Sequence, residues 1–100
     1  GPALVRALED REYRERALEA LAALGADAPR EAAIKLRALA ERWWVARVTR
    51  VRAAYALARI EPARGESLLR GFERSLFPSV REAVADARRG LAQLDADARR

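Results

Sequence analysis

Thr49–Pro62 reads TRVRAAYALARIEP. Its alanines and long apolar residues recur with the helical period, and Pro62 cannot continue a helix, so the stretch predicts one helix over about Val45–Glu61. Stepping 100° per residue, Val45, Thr49, Ala53, Ala56, Leu57 and Ile60 share one broad apolar side. Val48, Val51, Tyr55 and Ala58 form a second apolar side, and Arg52 and Arg59 lie on one border between the two. A surface helix needs only one such side. Shorter echoes of the stretch occur upstream at Tyr13–Gly25 and downstream at Val80–Leu91.

The same helical period extends outward along the chain. Leu4, Val5 and Leu8 mark a first helix, and Ala17, Ala20, Leu21 and Leu24 a second that Gly25 ends in a left-handed conformation. Asp27 and Pro29 start a third, carrying Ile34, Leu36, Leu39, Ala40 and Trp43. A corner follows at Trp43-Trp44, with at least one tryptophan expected in the core. Beyond Pro62, a fifth helix runs from about Ala63 to Leu76 with Leu68, Leu69 and Phe72, and Gly71 reads as its point of close helix contact. Ser79-Val80-Arg81-Glu82 fits a capping box that opens a sixth, with Val80, Val84, Ala87, Leu91 and Leu94 on its apolar side. No run alternates apolar and polar residues as a strand would, so the chain reads as all-α with six helices. The charged tail at 95–100 reads as frayed, and Gly1-Pro2 as the remnant of a cleaved expression tag.

Composition excludes much. The 100-residue chain has no cysteine, methionine or histidine, which removes thiolate chemistry, imidazole bases and the usual soft metal ligands. Thr49, Ser67, Ser75 and Ser79 are the only aliphatic hydroxyls, none with a histidine to activate it. The expectation is a protein without enzymatic activity, cofactor or metal. No apolar run reaches the length of a membrane span and no secretory signal opens the chain, so a cytoplasmic location without a membrane partner is expected. Net charge is +5, and Lys35 is the sole lysine among 20 basic residues, which reads either as the imprint of a GC-rich genome or as selection for bidentate contacts to phosphate or carboxylate. The excess lies in the middle of the chain, at Lys35, Arg37, Arg42, Arg47, Arg50, Arg52 and Arg59.

Repetition organises all of this. Tyr13-Arg14 with Ala17 and Ala20, Thr49-Arg50 with Ala53 and Ala56, and Val80-Arg81 with Val84 and Ala87 share one pattern. Each follows a helix that ends near an acidic residue: Asp10, Glu41 or Glu73. The chain resembles HEAT repeats, in particular the short bacterial type named after phycobilisome lyases, whose second helix begins V-R-x-x-A-A-x-A-L-G-x-I-G-D-P. Thr49–Pro62 follows that pattern nearly throughout, with Ala58 and Glu61 at positions that are small or glycine in the family. The third unit departs most, with Arg88 where leucine is usual. The resemblance implies a single domain over residues 3–94, a short α-solenoid of about three helical hairpins (about 3–25, 29–61 and 63–94). In it the second helices line a concave face that binds proteins, and Arg14, Arg50 and Arg81 pair with Asp10, Glu41 and Glu73.

The candidate contact surface follows from the second apolar side. Flanking units carry Glu15, Glu19, Glu82 and Asp86 where the central one has Val51 and Tyr55. The expected partner site is therefore Val48, Val51, Tyr55 and Ala58, bordered by Arg52 and Arg59 and extended by Trp43 or Trp44. The partner would be a protein or peptide, acidic or a second copy of the chain. The alternative is a nucleic-acid backbone bound through Lys35, Arg37, Arg42, Arg47 and Arg50, in the arginine cluster at 35–59. A third reading leaves the central helix simply sandwiched between its neighbours.

Overall fold

A computed structural model describes residues 2–100. It is all-α: α1 (Pro2–Ala7), α2 (Arg14–Leu24), α3 (Arg30–Glu41), α4 (Arg47–Ile60), α5 (Pro62–Phe72) and α6 (Pro78–Ala98), with a short 3₁₀ turn at Gly25–Asp27. Helix α4 is the centre. It packs against α2 and α6 on either hand and against α3 and α5. Around it, α1 lies on α2 and α3, and α5 lies on α6. The shortest extent, 20 Å, holds two layers of helices at the usual spacing of about 8–10 Å.

This placement explains the two apolar sides of α4. Val51, Ala53, Ala54, Ala56, Leu57 and Ala58 are all buried, because a helix enclosed on several sides must be apolar on several sides. Its alanines hold the neighbouring backbones close, and Leu8, Leu21, Leu36, Leu39, Leu69 and Val80 fill the space around them. The sandwiched reading therefore holds for Val51 and Ala58. Both were expected at a partner surface, and both are core.

Helices α4 and α5, which Glu61 alone connects, approach each other closely at Gly65. Pro62 opens α5 in the first helical turn, where its missing N–H costs nothing. A β-carbon on Gly65 would overlap the backbone nitrogen and Cα of Ala58. Gly71, the glycine expected to mark a close contact, faces open space. Glycine spacing alone does not distinguish the two; the crossing point of the helices does.

Several boundaries differ from the sequence reading for identifiable reasons. Helix α5 ends at Phe72, and Leu76 lies in a turn. There the Phe77 N–H donates to Ser75 Oγ at 3.2 Å, a serine turn that competes with the helix. Phe77 is extended, as the residue before a proline prefers, and α6 begins at Pro78. Ser79 is thus already inside the helix, and the capping box with Glu82 does not form. At its other end α6 continues through the region expected to fray, as far as Ala98, with Gln93 donating to Asp97 at 2.9 Å one turn on. Gly25 does take a positive φ of 53°, although its ψ of −127° lies outside the left-handed helical well.

Candidate protein-binding edge

The turns at 8–13, 42–46 and 73–77 each join one helix to the next, and three equivalent arginines hold them. Arg14 Nε donates to the Leu8 carbonyl at 2.8 Å, Arg50 Nε to the Ala40 carbonyl at 2.8 Å, and Arg81 Nη1 to the Ser75 carbonyl at 2.7 Å. The expected carboxylate partners are engaged elsewhere. Asp10 accepts from the Glu12 N–H, Glu41 meets Arg37, and Glu73 meets Arg88. The Leu8 and Ala40 carbonyls lie at the C-terminal ends of α1 and α3, where carbonyls lack intrahelical donors and carry the negative end of the helix dipole, so a guanidinium satisfies both needs at once. The Ser75 carbonyl lies in the turn beyond α5, where Arg81 supplies its donor. The repeated arginine pins each turn onto the helix that follows it.

Further contacts bring the turns together along one edge. Arg42 forms a two-pronged pair with Glu9 at 3.0 and 3.2 Å, joining the second turn to the first. The Arg47 guanidinium lies 4.7 Å from the centre of the Phe77 ring, joining the start of α4 to the third. Arg50 covers Phe72 in the same manner at 5.2 Å. Arg11, Arg14, Glu15, Trp44, Val45, Ala46 and Thr49 line a cleft between the first two turns.

The hydrogen bond from Arg42 holds the Glu9 carboxyl below its ordinary range, opposed in part by burial and helped by the charges of Arg42, Lys35 and Arg14. A lowered folded-state midpoint means that the pair stabilises the fold above the ordinary carboxylate range and stops doing so as pH falls through the Glu9 midpoint. In an NMR titration of side-chain carboxyls followed in parent and Arg42→Ala proteins, the Glu9 midpoint should lie lower in the parent. Arg42→Ala should raise it toward the ordinary glutamate value; a midpoint unmoved by that change would assign the shift to another cause.

Large apolar side chains stand in water along this edge. Trp43 is 81% exposed, Trp44 65% and Leu76 89%, with Tyr13 and Phe77 about half exposed beside them. The expectation that one tryptophan would enter the core is overturned. Val45 takes the core position beneath the corner, and the two indoles pack on each other edge to face, 5.7 Å apart at 85°. Sequence reading missed Leu76 and Phe77 as surface residues because Leu76 continues the apolar period of α5. The usable signal was Phe77-Pro78, which forces the chain out of a helix just before it.

The remaining expected contact residues are less available. Val48 and Tyr55 are half-buried, and a β-carbon on Gly90 of α6 would lie 3.1 Å from the Tyr55 hydroxyl. Grooves run on both sides of Tyr55, one toward Glu15 and Glu19 of α2 and one toward Ala83, Asp86 and Ala87 of α6. Arg52 bonds Glu15 at 2.9 Å, and Thr49 donates to the same carboxylate at 3.2 Å. The Arg59 guanidinium lies against Gly25, where a β-carbon would be 3.4 Å from Nη2. Among the arginine cluster, Arg37, Arg42, Arg47 and Arg50 all have intramolecular partners. At the opposite end of the chain, Arg88 takes its unusual place by bonding Glu66 at 2.8 Å and also Glu73, an ionic link between α5 and α6 where an apolar contact was expected.

Among the described residues, no helix is long and apolar enough to cross a membrane, and no group of acidic side chains gathers as a metal site. Comparison with protein-family models, with curated proteins and with solved structures finds no match to this chain.

Proposed function

We propose that this chain is a non-catalytic protein-binding module, built as three HEAT-like hairpins, and that it binds its partner along the edge of turns carrying Trp43 and Trp44. The observation that carries this reading is the exposure of both indoles on the turn before α4, with Leu76 and Phe77 exposed on the turn that Arg47 contacts. Large rigid apolar side chains in water are poor for solubility and are typical anchors of protein interfaces. The recurrence of Arg14, Arg50 and Arg81 on carbonyls at or shortly after the ends of α1, α3 and α5 supports the hairpin reading. The concave-face site draws less support, since Val51 and Ala58 are buried and Arg52 is paired. The nucleic-acid reading also draws less, because most of its cations already have partners.

Selection of short random peptides displayed against the folded domain tests this. Peptides enriched on the parent chain should bind a Trp43→Ala/Trp44→Ala variant at least about tenfold more weakly, while its circular dichroism and melting stay unchanged. Peptide binding that ignores both tryptophans would remove this edge as the site.

A further inference from the structure

The charges on the tryptophan edge point to a particular partner chemistry. Three of its carboxylates are neutralised within the protein, Glu9 by Arg42, Glu41 by Arg37 and Glu73 by Arg88. Asp10 accepts only from the Glu12 N–H and Glu12 is exposed beside Arg11, so these two are the negative charges left on the edge. Its cations are not balanced in the same way. Arg47 meets only the Phe77 ring, and Arg11 and Arg74 are exposed with no carboxylate partner among the described residues. The starts of α4 and α6 add to this. Neither has a side-chain cap or an acidic residue in its first turn, so the positive ends of both helix dipoles face this edge uncompensated.

Resting on the protein-binding reading above, we propose that the edge binds a short acidic peptide segment of another protein. One apolar side chain of that segment seats against the Trp43–Trp44 corner, and its carboxylates meet Arg11, Arg47 and Arg74. Charge decides against a second copy of this chain, because an isologous contact would set the same unbalanced arginines against each other. Shape favours a peptide over an anionic bilayer. Trp44 borders a cleft between the first two turns, a recess that a peptide side chain can enter and a flat anionic surface cannot, and Glu15 within it is already held by Arg52 and Thr49.

Trp43 and Trp44 are the only tryptophans in the chain, so fluorescence excited selectively at tryptophan reports from this edge alone. The experiment titrates the full chain with two synthetic peptides of equal length and the same central Leu-Phe pair, one flanked by glutamates and the other by lysines. The glutamate peptide should bind about tenfold or more tightly, weaken as salt rises, and lose that advantage against Arg47→Glu and Arg74→Glu. Arg74→Glu is at an exposed position and should leave the melting temperature unchanged; Arg47→Glu also gives up the Phe77 ring contact, so its binding is read well below its own melting temperature. Equal affinities, a preference for the lysine peptide, or no binding of either overturns the acidic-partner inference. If peptides from the display selection still bind through the tryptophans, the module reading stands without it. Tighter binding of oligothymidylate, or of vesicles containing phosphatidylserine, also overturns it and assigns the edge to nucleic acid or lipid.

Discussion

Val51→Asp is expected to destabilise the fold more than any other single change considered. Val51 is 1% exposed and lies in the contact between α4 and α6, beside Ala83 and Ala87. An aspartate there loses the apolar burial of valine and must either hold an unpaired charge away from water or take up a proton. Breaking a core in this way costs about 3–5 kcal/mol, against a total of about 5–15 kcal/mol for a domain of ordinary stability. Urea or thermal melts followed by circular dichroism should show a midpoint lowered by about 10 °C or more, with a population unfolded at the outset if the parent is marginal. Trp43→Ala, at a far more apolar side chain, should change stability by no more than about 0.5 kcal/mol. If Val51→Asp melts within a few degrees of the parent, Val51 faces water and α6 does not cover α4 as described.

Gly65→Ala should be the most damaging of the conservative changes. Alanine is the better helix former by about 1 kcal/mol, so propensity alone predicts a gain. Packing predicts the opposite, because the new methyl would occupy the position of the Ala58 backbone. Overpacking commonly costs about 1–3 kcal/mol and more where the obstacle is backbone that cannot rotate aside. The single-residue connection at Glu61 also limits how far α4 and α5 can part. The steric effect should win, leaving a net loss of about 2 kcal/mol. Gly71→Ala, in the same helix but facing open space, should instead stabilise by about 0.5–1 kcal/mol. Denaturation midpoints that move in the same direction for both variants would contradict this placement of α5 on α4.

The helices were legible because their signals are local. The period of Ala53, Ala56, Leu57 and Ile60, the stop at Pro62 and the glycine at 25 each act within a turn or two of chain. The recurring arginines were legible as a repeat, but their partners were not. A carboxylate nearby in sequence is an obvious mate for Arg50, whereas the carbonyl of Ala40 becomes available only once α3 ends beside α4. The contact surface was read least well. Val51, Tyr55 and Ala58 carry the same apolar signature whether a partner or the chain's own helices cover them, and Leu76 looks like one more turn of α5 until the serine turn at Ser75 is seen.

For this protein the order of amino acids by itself determined an all-helical chain, six helices, no thiol or imidazole chemistry, and a central helix apolar on more than one side. Those properties follow from backbone preference and side-chain chemistry, which act over a few residues. Tertiary structure alone decided which apolar residues meet water. Burial depends on whether a distant helix arrives: α6 and α5 reach Val51 and Ala58, and no helix reaches Trp43 and Trp44.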